Sequence, residues 1–170
     1  MVPFTPFHLG PALLFGLAFS STFDLLTLLI ASVIPDVEPF CILLFDLSWP
    51  SHGFFHSYVG SSILAVLVAV VVYLFRGILT NVMLKFQVSQ KSFFKKILFT
   101  SFVGVYSHVF LDSLLYRQMN PLYPLQGNAF IGIMPTYITY MAVYGFCSIS
   151  FILGIILYLY KIRKGTTVLG

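Results

Sequence analysis

The stretch GPALLFGLAFSSTFDLLTLLIASVI, Gly10 to Ile34, has two readings, and the choice between them decides the fold. Its length is enough to cross a bilayer once. Its polar residues, however, gather at Ser20, Ser21, Thr22, Asp24 and Thr27, at the depth where polar groups cost most in a single span. Two short helices joined near Ser20 to Asp24 avoid that cost, with Asp24 as the N-cap of the second. Such a hairpin returns the chain to the side on which it began. A single span would leave the two flanks on opposite sides.

The rest of the chain extends the membrane pattern. Of its 170 residues 59% are hydrophobic and 8% charged, and the mean hydropathy is +0.98. A soluble domain carries about 25% charged residues, so the expectation is an all-α polytopic integral membrane bundle forming one domain, residues 1–170. Three long spans are read at Ser57 to Phe75, Ile97 to Tyr116 and Tyr137 to Tyr160, in addition to the short N-terminal hairpin. Met1 to Gly10 has neither Lys nor Arg, so Gly10 to Ser21 is expected to be retained rather than cleaved as a signal peptide. Phe40 to Leu47, followed by Trp49, reads as a segment at the headgroup boundary.

The basic residues are clustered. Arg76 is expected to close the first long span, and the linker from Gly77 to Lys96 adds Lys85, Lys91, Lys95 and Lys96. Lys161, Arg163 and Lys164 follow the last span. Excess Lys and Arg in short flanks marks the cytoplasmic side, so the net charge of +4 does not point to nucleic acid. The 76–96 loop and the C-terminus are expected in the cytoplasm of a cell (inner) membrane protein. The opposite ends of the spans are then extracytoplasmic.

The chemistry-bearing residues fall at those opposite ends. His52 and His56 sit in WPSHGFFHS, Trp49 to Ser57, and share one face four positions apart if a helix begins near Ser51. Asp36 and Glu38 lie in Pro35-Asp36-Val37-Glu38-Pro39, where flanking prolines favour extended chain that turns both carboxylates the same way. His108 and Asp112 form a second pair at four-residue spacing. The hairpin brings His8 to the same side. Imidazole and carboxylate are the ligands of divalent ions such as Zn²⁺ in catalytic sites. A bound ion acidifies water and polarises a phosphoryl or carbonyl oxygen. Seven candidates (His8, Asp36, Glu38, His52, His56, His108 and Asp112) exceed one zinc's need. Either two ions bind, Zn²⁺ or Mn²⁺, or some residues support others, with Asp36 and Glu38 as ligands or general base. Taken singly, each histidine is as well read as a packing residue and each acid as part of a solvated loop.

Ser57 and Ser107 read as helix hydroxyls, because no nucleophile motif accompanies them. Cys41 and Cys147 read as apolar filler. The Asn120 to Asn128 loop, with Tyr116 and Tyr123, is either a roof over the site or an ordinary proline-rich connection.

The succession of His8, Pro35-Asp36-Val37-Glu38, His52-Gly53-Phe54-Phe55-His56-Ser57 and His108-Val109-Phe110-Leu111-Asp112 resembles the YdjM-type membrane-bound metal-dependent hydrolases, also called LexA-binding inner-membrane-associated hydrolases. The likeness runs from His8 to about Asp112. It departs from the pattern in having Gly53 where the family has an arginine after the first histidine of the middle motif. A relationship of that family to zinc-dependent phospholipase C and nuclease families implies phosphoester hydrolysis. The expected activity is therefore a metal-assisted attack of water on an ester or phosphoester, with membrane lipid as partner and substrate. Two other readings stay open. An adaptor binding a partner through its 76–96 loop would tolerate alanine at the histidines. A metal or proton transporter would need ionisable groups across the bilayer, and neither Ser57 to Phe75 nor Tyr137 to Tyr160 has any other than Tyr and Cys147.

Overall fold

The computed structural model describes residues 6–165 and 168–169. The first stretch folds as a hairpin. A 3₁₀ turn, Pro6–His8, leads into α1, Leu9–Ala18, and after a turn α2 runs from Leu25 to Ala31. Asp24 caps α2 as the sequence implies, with extended backbone and its carboxylate accepting from the Thr27 amide at 2.9 Å.

The segment after α2 departs from expectation. Pro35 and Pro39 do not hold the chain extended: a 3₁₀ turn, Ile34–Asp36, passes directly into α3, Val37–Leu44. Both prolines fall within the opening residues of these short elements, where a missing N–H breaks no helical hydrogen bond. The run Leu25–Leu44, helical apart from a turn at Ser32 and Val33, is consequently 20 residues long and apolar enough to cross a membrane. Phe40 to Leu44 forms the later part of α3 at the end of that run.

α4, Tyr58–Leu74, is followed by α5, Arg76–Lys85, bent from it by 78°. The sequence suggested a linker from Gly77 onward; instead the helix resumes at Arg76, whose side chain is turned back to Asp24 at 2.8 Å and to the Gln90 carbonyl at 2.7 Å. α6, Phe94–Leu115, and α7, Thr136–Arg163, follow the expected spans with longer ends. Among the described residues, the Leu25–Leu44 run, α6 and α7 are each long and apolar enough to cross a membrane. The bent α4–α5 pair is a fourth if taken as one broken span. Two-residue strands β1, Ser89–Gln90, and β2, Val168–Leu169, pair in parallel.

α6 is the central helix, packed against α2, α4 and α7, while α1 lies between α2 and α7. Small side chains set the close approaches. Ala31, Ala65 and Ala69 are fully buried beside Val105 and Ile97, and Ser101 donates across to the Ala65 carbonyl at 2.7 Å. This is the small-residue and hydroxyl packing of helices that associate in lipid. A Cβ on Gly10 would collide with the Cys147 carbonyl of α7, so the close approach of α1 and α7 depends on that glycine.

The bundle has two chemically distinct ends. One carries His8, the α2–α3 junction, the start of α4 and the end of α6. The other carries the α1–α2 turn, the α4–α5 bend, the start of α6 and the end of α7, with eight of the nine basic residues. Along α6, Lys96 and Asp112 stand about 24 Å apart at 1.5 Å per residue.

At the basic end a buried polar knot closes the hairpin turn. Asp24 takes Arg76, both Thr27 donors and the Ser92 hydroxyl. Gln90 accepts from the Leu25 amide and donates to the Ser20 and Phe23 carbonyls, and Lys96 donates to Ser20 as well. Burial opposes ionisation of Asp24, but hydrogen bonds from Arg76, Thr27 and Ser92 hold its carboxyl below the usual value.

Candidate metal centre

The opposite end gathers all seven sequence candidates, in unequal roles. His108 and Asp112 stand one turn apart on the buried face of α6. The Nδ1 of His108 is 2.7 Å from the Ser32 carbonyl, one of the oxygens that the end of α2 leaves without a helical partner. A carbonyl only accepts, so Nδ1 carries the proton. In the neutral ring, the form that ligates a metal, Nε2 is then a bare lone pair, 3.3 Å from Asp112 Oδ2 and 3.6 Å from Asp36 Oδ1.

His56 repeats the arrangement. Its Nδ1 lies 2.9 Å from Glu38 Oε2, so its Nε2 is the free nitrogen, 3.9 Å from Asp112 Oδ2. Both Nε2 atoms are buried with no hydrogen-bond partner. Bare imidazole nitrogens facing carboxylates call for a cation between them, since buried polar groups are otherwise paired. One ligand atom from each of Asp36, His56, His108 and Asp112 lies within 4.8 Å of the other three, somewhat wider than the roughly 3.4 Å edge that bonds of about 2.0–2.1 Å give in tetrahedral zinc. The donor set fits a divalent ion. Each histidine has its second nitrogen anchored to an oxygen, as metal-ligating histidines do.

His8 and His52 border this group. His8 Nε2 is 3.0 Å from Asp112 Oδ1, its Nδ1 is buried and unpartnered, and its ring lies 4.1 Å from that of His108. His52 Nε2 is 3.9 Å from Asp112 Oδ2, and its ring stacks on Tyr116 at 4.1 Å. Asp112 is thus surrounded by four imidazoles.

Two local expectations are corrected. His52 and His56 do not share a helix, because α4 begins only at Tyr58, capped by the Ser57 hydroxyl. His56 ends a 3₁₀ turn, Phe54–His56, and His52 lies in the loop before it. The rings still meet, 4.8 Å apart. The reason is Glu38, whose carboxylate draws in the Gly53 and Phe55 amides at 3.1 and 3.4 Å as well as His56 and wraps the loop around itself.

Asp36 and Glu38 do not point the same way either. Helical backbone at both turns Asp36 toward His108 and Glu38 toward the loop. Glu38 therefore stands outside the group of four and orients His56. At Gly53 a Cβ would stand 2.7 Å from Glu38 Oε1, so a side chain there, where the resemblance set an arginine, would require the Glu38 carboxylate to shift.

The 120–128 connection is tied to the same end. Asn128 donates to the Ser113 and Tyr116 carbonyls at the end of α6, and the Tyr58 amide donates to the Pro121 carbonyl. Sequence reasoning had no sign of the Ser32 carbonyl, because a backbone oxygen at a helix end leaves no mark in residue type. Ser107 donates within its own helix to Gly104, and Cys147 packs with Leu115 and Val143.

Burial, and then the neighbouring His56, push the His52 imidazole down to about 4. The unfolded chain takes up this proton below its ordinary 6.5, whereas the folded chain does not until about pH 4. Stability of the chelator-treated protein is therefore expected to fall as pH drops from 6.5 toward 4. His52→Gln should flatten that dependence in detergent melting curves taken across the window.

Membrane-crossing helices closing over buried histidines and carboxylates define an all-α polytopic membrane protein with a candidate metal centre at one end of its bundle. Within that class the chain belongs to the YdjM inner membrane protein family, whose model matches residues 1–168. No curated protein and no solved structure shows a significant match.

Proposed function

We propose that the protein is a membrane-bound metal-dependent hydrolase acting on an ester or phosphoester of a membrane lipid at the extracytoplasmic face. The observation that carries this reading is the pair of buried, unpartnered Nε2 atoms of His56 and His108 facing Asp36 and Asp112. These four residues would hold a divalent ion, Zn²⁺ or Mn²⁺, which supplies acidified water and polarises the oxygen of the bond to be cleaved. His8 and His52 are the candidates for a second ion or for contacts to substrate.

In this reading the chain's own residues divide the work. Glu38 and the Ser32 carbonyl fix the tautomers of His56 and His108. Glu38 is committed to two amides and an imidazole, which leaves Asp36, through the carboxylate oxygen it would not give to the ion, as the base that would accept a proton from the attacking water. The extracytoplasmic assignment rests on the basic residues at the far end of the bundle. A through-path for transport is disfavoured by the packed apolar cluster of Ala31, Ala65, Val68, Ala69, Val72, Ile97 and Val105 between the α2, α4 and α6 helices.

The test is hydrolysis of a panel of phosphodiesters, phosphomonoesters and phospholipids by purified protein loaded with zinc or manganese. Turnover of at least one class is expected, lost on chelation and restored by the metal. Asp36→Asn should lower kcat by about 10²- to 10⁴-fold. No turnover of any class by fully loaded protein would contradict the proposal.

A further inference from the structure

A groove that runs along the bundle from the level of the centre to the α1–α2 turn bears on what the substrate is. An apolar groove of about 370 Å³ opens on the side of the bundle, lined by Ala12, Phe15, Val103, Ser107, Leu111 and Phe146 among others. Its volume lies in the range of about 300–1,000 Å³ of small-molecule sites. Ser107 and Leu111 immediately precede His108 and Asp112, and Ala12 is one turn beyond His8, so the groove begins at the level of the centre. From Leu111 past Val103 to the level of Phe99, on which the lining residue Phe23 stacks, it follows α6 for about 18 Å, slightly more than the roughly 15 Å that one leaflet contributes to the hydrocarbon core.

Its chemistry is that of a hydrocarbon site. The polar side chain in its lining is Ser107, and that hydroxyl already donates to the Gly104 carbonyl at 2.8 Å. A headgroup or an extended peptide in the groove would have no partner for its own polar atoms, which lipid surroundings cannot supply.

We propose that this groove seats one acyl chain of the lipid substrate, which makes the substrate a long-chain lipid of the leaflet on the site's side, held with its ester at the centre and its tail along α6. The inference rests on the hydrolase reading and narrows it. Recognition of the tail separates this substrate from a soluble ester with the same headgroup.

Two readouts test it. The first is photocrosslinking with a phospholipid bearing a diazirine midway along one acyl chain, in nanodiscs, followed by peptide mapping. Label is expected to concentrate on Phe15, Val103 and Phe146 over the outer face of α7 at Ile149 and Ile156, which is more open to lipid. Filling the groove with Val103→Phe and Ser107→Phe should remove that excess while metal content stays at the wild-type level. Label spread evenly over all exposed apolar surface overturns the proposal.

The second readout is turnover. The filled variant should lose about tenfold or more in kcat/KM on the long-chain lipid and keep its rate on a soluble short-chain ester of the same headgroup. Equal loss, or no loss, on both substrates overturns the acyl-chain assignment while leaving the hydrolase standing. Selective label with no turnover of either substrate by metal-loaded wild type overturns the hydrolase reading instead.

Discussion

Asp112→Asn is expected to abolish metal binding and, with it, hydrolysis. The carboxylate lies 3.0 Å from His8, 3.3 Å from His108 and 3.9 Å from both His52 and His56. It is therefore the one residue that every imidazole of the centre faces. An amide keeps the shape but removes the charge that balances a dication. Affinity should fall by more than the roughly 10- to 100-fold that loss of a supporting partner costs. Glu38→Gln serves as the internal comparison. It loosens His56 and the Gly53–Phe55 loop without removing a member of the group of four, so its loss should stay within that 10- to 100-fold range. Metal titrations on the two variants give the ranking directly. Equal affinities, or a larger loss for Glu38→Gln, would show that the roles of the two carboxylates are assigned the wrong way round.

The second large effect lies at the other end of the bundle. Arg76→Ala leaves Asp24, 1% exposed, without its cation. Removing one partner of a buried pair costs about 3–5 kcal/mol. The result should be a markedly lower melting temperature in detergent, because the α1–α2 turn and the α4–α5 bend are joined through this pair. Asp24→Asn combined with Arg76→Ala should recover much of the loss, since no charge is then stranded. Asp24 is held below its ordinary 3.8, so its contribution is present above that pH and is lost as pH falls through the folded value. Metal content of Arg76→Ala should remain that of wild type. The centre is about 24 Å away along α6, and a joint loss of metal and stability would mean that the two ends are coupled.

Much of this architecture is visible in residue order. The polar cluster Ser20 to Asp24 announces the hairpin, and the hairpin brings His8 beside Asp112. The basic flanks sort the two ends of the bundle. The limits of α6 and α7 fall within a few residues of the apolar runs. What is not legible has specific causes. Pro35 and Pro39 read as breakers, yet at the opening of short helical elements their missing N–H groups cost nothing, and the apolar run begun by α2 carries on through them to Leu44. Arg76 reads as the end of a span, but its pairing with an aspartate 52 positions earlier turns it into the start of α5.

The candidate centre follows the same division. Histidine and carboxylate spacing indicated that seven residues meet. It could not separate the group of four from its supports, because that depends on which ring nitrogen finds an acceptor. For His108 the acceptor is a backbone oxygen, and for His56 it is the very glutamate that spacing had paired with Asp36. The His52–His56 spacing suggested the right neighbours for the wrong reason, since the rings meet through a loop folded around Glu38 rather than along a helix.

The central claim is that the bare nitrogens of His56 and His108, with Asp36 and Asp112, hold a divalent ion. Elemental mass spectrometry on detergent-purified protein, repleted with zinc and manganese and then desalted, tests it against a His56→Ala, His108→Ala double variant of unchanged elution and helicity. The account predicts about one or more equivalents of metal in the wild type and a loss of that metal in the variant. Wild type and variant that are both metal-free after repletion, or that retain equal amounts, would contradict it.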